Sequence, residues 1–395
     1  MTHAEQEMQT IAPSFFPEDP HELRDTLLAS VESIAQCIQE TAPESEEGRT
    51  LSPTAALALK ESGLSAMKSP RCAGGAEAHP RIQMDVIEAL TKLYPAAGWS
   101  LLITSGITAR VLSSLPDASI KEILGTEGFP FVAGSLKPSG RARATEDGFV
   151  LSGRWSWASG LGHADYVAAP AILEDFSGAI WAVIPKKQVQ VHDTWFSLGL
   201  KGTGSADFSV EEIFVPTDFT STSGQSVRGG PLYRLGYGGA AHEHGIFACA
   251  LAQAALDSLR STAGEKKRGY AHTKGLVDRE SFQSMVAEAE LRIRAARLLM
   301  ADVSSRLLES ASEQEAPIAL QAEARAAATL CTDEAIDITT RLFRFAGGSA
   351  VMQGDPMEQL FRDLLTAQAH LFVSDTAYES LGRLRLGLTD QAPLG

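Results

Sequence analysis

The strongest constraint on the fold lies in residues 148–216, where the chain alternates with period two and is cut repeatedly by glycine. It reads GFVLSGRWSWASGLGHADYVAAP, then an apolar AIWAVIP, then GLKGTGSADFSVEEIFVP. Short alternating runs bounded by Gly and Pro are strands of a small β-domain. Trp155 and Trp157 stand two apart, a spacing that places both indoles on one face of a strand. Trp157-Ala158-Ser159-Gly160 then offers a hydroxyl beside a turn.

Helical patterns flank this segment. After a loose arm over residues 1–18, Asp19-Pro20-His21-Glu22 supplies a cap, a first-turn proline and a first-turn acid. Leu23, Leu27, Val31, Ile34 and Ile38 then recur at three and four, an amphipathic helix. PESEEG (43–48) reads as a solvated loop, and Ser52-Pro53 opens a helix that stops at Gly63. Residues 71–80 are loop, and helices are predicted over about 82–95, 98–114 and 117–125. Beyond a polar connection (221–235), Ala-rich patterns predict long helices over about 238–263, 279–311, 315–345 and 356–386, an antiparallel four-helix bundle. The fold class is therefore α+β in three segments. These are an N-terminal helical domain (1–125), a middle β-barrel or sandwich domain (126–225) and a C-terminal four-helix bundle (226–395).

Composition narrows the partners. A net charge of −15 argues against nucleic acid, which needs a basic face. No apolar run reaches the roughly 18 residues of a membrane span, so no membrane partner is expected. The opening MTHAEQEMQTIAPSFF lacks a cationic segment followed by an apolar one, which points to a cytoplasmic location. Cys37, Cys72, Cys249 and Cys331 lie far apart, without metal-site spacing, and read as reduced thiols. No P-loop and no GxGxxG after a strand appears, so reduced nicotinamide has no recognisable site.

The WSWASG strand end and the GLKGTGSADFSVEEIFVP segment resemble the middle β-domain of the acyl-CoA dehydrogenase superfamily, in which a W-x-[ST]-[GA] strand end lies against a flavin ring. The order helical domain, β-domain, bundle matches that superfamily across nearly the whole chain. Its details look closer to the two-component flavin-dependent monooxygenases. Those enzymes take reduced flavin from a separate reductase and use O2 to oxygenate a small substrate. The resemblance implies reduced FMN or FAD supplied in trans, O2 as co-substrate, an NAD(P)H-dependent flavin reductase as partner, and a homotetramer. It also implies a dry cleft between β-domain and bundle in which a C4a-hydroperoxyflavin transfers oxygen to a small, aromatic or heteroaromatic substrate.

Residue by residue, the resemblance places Ser135 and Leu136, in PFVAGSLKPSG, over the flavin pyrimidine. It makes Trp157 a wall of the flavin site and puts Ser159 and Gly160 near flavin N5. In GEKKRGYAHTKG, Lys267 and Arg268 are a basic cluster before a helix start, suited to a flavin phosphate. Gly347-Gly348, in RLFRFAGGSAVMQGDPMEQLFRD, matches a Gly-Gly that contacts the cofactor tail, and Glu358 and Arg362 form an i,i+4 ion pair. A dehydrogenase commonly keeps its base in a Tyr-Glu-Gly about nine residues beyond that Arg; here Leu371 holds the place, beside His370. His370 is therefore the candidate acid/base, and Ser159 its partner in chemistry. Trp99, His163, His242 and His244 are candidates for the substrate pocket. As a metal site His242-Glu243-His244 is poor, because adjacent residues diverge around a helix, so no metal is expected. Two alternatives stand beside the monooxygenase: a dehydrogenase or oxidase with a relocated base, and a non-catalytic flavin-binding relative.

Overall fold

A computed structural model describes residues 10–125, 129–222, 226–265 and 275–392. Six helices come first: α1 (Pro20–Glu40), α2 (Ala42–Gly48), α3 (Pro53–Glu61), α4 (Pro80–Leu93), α5 (Pro95–Ser114) and α6 (Asp117–Leu124). Eight strands follow: β1 (Val132–Gly134), β2 (Gly140–Ala144), β3 (Gly148–Ala158), β4 (Tyr166–Leu173), β5 (Ala179–Pro185), β6 (Gln190–His192), β7 (Ala206–Pro216) and β8 (Thr220–Thr222). The chain then returns to helix in α7 (Ala241–Thr262), α8 (Glu280–Ser310), α9 (Ile318–Ala346), α10 (Pro356–Ala367) and α11 (Thr376–Arg385).

The chain divides into two compact units. One holds residues up to 83, 99–196 and 201–233; the other holds 84–98, 197–200 and 234 onward. In the first unit the strands form one connected sheet in the order β6-β7-β3-β2-β4-β5-β8, with β1 beside β4. Trp155, Leu151, Val167, Ala169, Phe208 and Ile184 fill the core under it. In the second unit α7 packs against α8, α9 and α10, and its buried face runs from Ala241 to Leu259. No helix of the described residues is long and apolar enough to cross a membrane.

Local signals account for many element ends. Asp19 caps α1 by accepting the His21 and Glu22 amides, and the five residues expected to face the core are those buried. Ser52 caps α3 the same way, and Gly63 ends the segment at φ 75°. Residues 43–48 are not a loop. Pro43 and Glu44 favour a first helical turn, and α2 forms, closed by Arg49 in the left-handed region. Arg49 then pairs with Asp193 at 2.6 and 2.7 Å.

The last predicted helix is two. α10 stops at Ala367, and His370 takes an extended conformation and caps the short turn Leu371–Val373 before α11 begins. Neither Gly nor Pro marks this break; a side-chain cap does, and the helical period of the sequence runs straight through it.

The two tryptophans of β3 also diverge from expectation. Trp155 is fully buried, stacked on Phe208 at 5.0 Å with its indole N–H on the Pro170 carbonyl, whereas Trp157 is 76% exposed. The cause is a β-bulge. Trp155 faces Phe208 and Ala158 faces Ala206, so Ser156 and Trp157 together oppose Asp207. With one extra residue in β3, period-two alternation fails at Trp157, which turns its indole outward at φ 61°.

This geometry predicts unequal costs for two chemically identical substitutions. Trp155→Ala should destabilise the protein by about 3–5 kcal/mol, as for a large aromatic lost from a packed core. Trp157→Ala should change stability by less than about 1 kcal/mol, as at an exposed site. Urea melts of the two variants check this; similar costs would place both indoles in the core.

Candidate active site

The first unit carries the outward indole and a hydroxyl beside it. A bulky residue in the left-handed region costs on the order of 1–2 kcal/mol, and Asp207 offsets that cost at Trp157. Its carboxylate, 7% exposed, accepts the Trp157 amide at 3.3 Å and Arg154 Nε and Nη2 at 3.2 and 2.9 Å. Burial acts to raise the Asp207 pKa. Hydrogen bonds from Arg154, the Trp157 amide, Ser156 and Thr194 outweigh it and hold the carboxyl below its usual range.

Two residues beyond Trp157, Ser159 is 9% exposed and its hydroxyl oxygen accepts twice. Trp99 Nε1 donates to it at 3.1 Å and Ser205 Oγ at 3.0 Å. Thr203 Oγ1 lies 2.8 Å from Ser205 Oγ. An indole N–H only donates, so with both acceptor positions used the Ser159 proton is left to be given away. Trp99 is thus a buried orienting partner of Ser159. Gly160 sits at φ 81°, and a Cβ there would meet Thr104 Cγ2 at 2.4 Å, which gives this glycine a packing reason of its own.

His163 lies in the turn after Gly160, edge-on to Phe131 at 5.6 Å, with Nδ1 3.5 Å from Thr50 Oγ1. Its Nε2 is buried without a hydrogen-bond partner. Burial, with the Lys186 charge adding to it, pushes its pKa down to about 3. Ser135 and Leu136 leave β1 in an exposed turn, the place the sequence gives to backbone donors.

The second unit assembles the histidines. His244 of α7 stacks on His370 with ring centroids 4.4 Å apart and planes 21° apart, and Phe372 flanks both rings at 5.2 and 5.6 Å. Burial pushes the His370 pKa down to about 4, so at neutral pH the ring is uncharged. The hydrogen bonds place a proton on each ring. His370 Nδ1 accepts the Phe372 amide at 3.4 Å, which leaves the proton of the neutral ring on Nε2. His244 Nδ1 lies 2.9 Å from the Ala240 carbonyl, an obligate acceptor, so Nδ1 carries a proton and donates it there. His242 and Glu243 are buried on the same turn of α7, and buried Arg325 of α9 donates to the Leu371 carbonyl at 3.4 Å.

Gly347 and Gly348 follow α9, Gly347 at φ 80°, and no atom lies within 4 Å of where either Cβ would stand, which leaves room for close approach. The Glu358–Arg362 pair forms as expected, at 2.5 Å. Arg362 also donates to the Leu198 carbonyl at 2.8 Å, and Asp363 accepts the amide of Leu200, another left-handed residue, at 2.6 Å. Lys267 and Arg268 lie outside the described residues.

The residues present suit a flavin. An isoalloxazine ring needs a flat apolar wall and a few polar groups at its edge. Trp157 is an aromatic face turned out of the sheet on a fixed bulge, with the Ser159 hydroxyl proton uncommitted two residues away.

The chain matches the acyl-CoA dehydrogenase C-terminal domain over residues 243–375. It is 27% identical over 386 residues to a pigment production hydroxylase of a Rhodococcus species, covering 94% of this chain and 99% of that one. It is 26% identical over 383 residues to the flavin-dependent monooxygenase oxygenase subunit HsaA of Mycobacterium tuberculosis, covering 92% and 96%. Its fold superposes on XiaF from Streptomyces sp., solved with FADH2 and glycerol, with a TM-score of 0.88 at 22% identity, covering 95% and 98%. Residues 243–375 thus carry the acyl-CoA dehydrogenase C-terminal domain, and the fold as a whole is acyl-CoA dehydrogenase-like. Over more than nine-tenths of its length the chain is similar to flavin-dependent monooxygenases and hydroxylases.

Sequence reasoning missed Ser205, Asp207 and the contact of His244 with His370. Each depends on pairing between segments far apart in the chain, for which no local signal exists.

The buried imidazoles make stability depend on pH. His163 and His370 stay neutral in the fold at pKa values of about 3 and 4, while the unfolded chain protonates both below about 6.5. Stability should therefore be full above pH 6.5 and fall progressively as the pH drops toward 4. His370→Gln and His163→Gln should each flatten the decline of the urea midpoint between pH 6.5 and 4.5. A wild-type midpoint constant across that window would contradict neutral burial.

Proposed function

We infer that this chain is the oxygenase component of a two-component flavin-dependent monooxygenase. It inserts one atom of O2 into a small aromatic or heteroaromatic substrate, and a separate NAD(P)H-dependent reductase supplies reduced FMN or FAD. The observation that carries the reading is the stacked His244–His370 pair, beside Leu371, which holds the position where the resemblance puts a dehydrogenase's carboxylate. Relatives named as hydroxylase and as oxygenase subunit, aligned over more than nine-tenths of the chain, support it.

Reduced flavin, when bound, supplies the two electrons with which O2 gives one atom to substrate and one to water. The chain's own residues do the rest. Trp157 walls the ring, Ser135 and Leu136 flank its polar edge, and the Ser159 hydroxyl donates toward it. Gly347 and Gly348 let the cofactor tail approach, and Lys267 and Arg268 neutralise its phosphate. His244 Nε2 accepts the proton of an acidic substrate group, and His370 Nε2 donates one where negative charge develops. Trp99, through Ser159, and His163 and His242 shape the surroundings. The three-domain division at 125 and 225, the homotetramer and the cytoplasmic location belong to the same reading.

One observation favours a second reading. Glu243 is a buried carboxylate between His242 and His244, and a dehydrogenase with a relocated base would use it. That enzyme would purify with bound FAD and be reduced by acyl-CoA, a reduction lost in Glu243→Gln.

Mixing enzyme and reduced flavin with oxygenated buffer tests the monooxygenase reading. Flavin absorbance should pass through a transient before the oxidised form, and product should appear from one of a panel of phenols and indoles. Single-phase reoxidation that returns all electrons as free peroxide would sink it. His370→Ala should bind reduced flavin about normally and still consume O2. Product should fall roughly 10²–10⁴-fold, the usual worth of an acid/base group, with peroxide taking its place. Wild-type coupling in that variant would remove His370 from the chemistry.

A further inference from the structure

The sheet of the first unit holds one buried carboxylate that no step above uses. Asp207 lies within β7, and an aspartate is a poor strand residue whose charge is costly to bury. Plain strand pairing does not require it. The partners of its carboxylate belong to the bulge and its neighbours: the Trp157 amide at 3.3 Å, Arg154 at 2.9 and 3.2 Å, and the Ser156 and Thr194 hydroxyls. Its own amide donates to Thr194 Oγ1 at 3.1 Å, which fixes the carboxylate opposite the bulge.

We propose that Asp207 is a positioning residue of the cofactor site: by holding the Trp157 amide and the Arg154 guanidinium, it keeps the bulge open and the Trp157 indole presented to the flavin ring. The inference rests on the reading of Trp157 as the flavin wall. An ionised carboxylate is acceptor-only with about four lone-pair sites, which suits several donors converging from one bulged strand. Without that acceptor the Trp157 amide loses its partner. In-register pairing would then turn the indole to the face already filled by Trp155 and Phe208. The bulge therefore relaxes into several conformations, and the wall is lost while the sheet remains.

The test uses the full chain without flavin first. Its five tryptophans are labelled with 5-fluorotryptophan, and the Trp157 resonance is assigned from Trp157→Phe. In Asp207→Ala that resonance should shift or broaden while the Trp155 and Trp99 resonances hold. The isosteric Asp207→Asn, which keeps one acceptor oxygen, should move it less. Dissociation constants for reduced FMN and reduced FAD should rise roughly ten-fold in Asp207→Ala and in Trp157→Ala. The double variant should bind no more weakly than Trp157→Ala alone, because both changes remove one interaction. An unmoved Trp157 resonance would overturn the proposal. So would a moved resonance with normal flavin affinity in Asp207→Ala when Trp157→Ala binds weakly. If neither variant changes flavin affinity although the resonance moves, the clamp stands and the reading of Trp157 as a flavin wall falls. Where Asp207→Ala fails to fold, Asp207→Asn carries the same readings.

Discussion

The first unit depends on one extra residue in β3 and on the carboxylate that accommodates it. Side chains alternate along a strand, so an inserted residue reverses the face of everything after it. Leu151 and Trp155 lie inward before the bulge, and Ala158 lies inward after it. Trp157 is turned out, and Ser159 is delivered to Trp99 and Ser205. In regular pairing Trp157 would compete for the space of Trp155, and Ser159 would follow on the same face. The exposed indole and the oriented hydroxyl thus share one cause. Leu200 repeats the device in the second unit, a left-handed residue whose amide is held by the Asp363 carboxylate.

Burial is what lowers the His370 pKa, and the ring stacks on His244 of α7. Two imidazolium ions at a 4.4 Å separation would repel by about 4 kcal/mol at an effective dielectric of 20, so double protonation of the pair to two cations is disfavoured. The backbone fixes a proton on each ring: on Nε2 of neutral His370, because Nδ1 accepts the Phe372 amide, and on Nδ1 of His244, which donates to the Ala240 carbonyl.

What could be read in the sequence was what is encoded locally. Asp19 and Ser52 announce their helices, the apolar period of α1 names its buried residues, and the Glu358–Arg362 spacing names its ion pair. The strand pattern between 148 and 216 located the sheet. Its details were out of reach because they are set across distance. Asp207 is 50 residues from Trp157, and only the antiparallel register of β3 on β7 shows that two residues face one. His370 misled for a related reason. Its helix ends through a ring that caps the next turn and stacks on α7, and neither partner leaves a mark in the periodicity around it.

Oxygen chemistry and acyl dehydrogenation ask different things of the residue at this place in the fold. Removing a proton from carbon calls for a positioned general base, which the resemblance makes a carboxylate in the dehydrogenases. Leu371, at the dehydrogenase offset, is a hydrocarbon 42% exposed, and the ring beside it is neutral with its Nε2 protonated. A protonated nitrogen that carries no charge is a poor base toward carbon and a good hydrogen-bond donor toward an oxygen on which charge is developing. Glu243 is the carboxylate close in sequence to this pair, and it adjoins His244, whose Nδ1 donates to the Ala240 carbonyl. The neutral His370 N–H stacked beside His244 suits the proposed oxygen transfer, in which a proton is returned to oxygen.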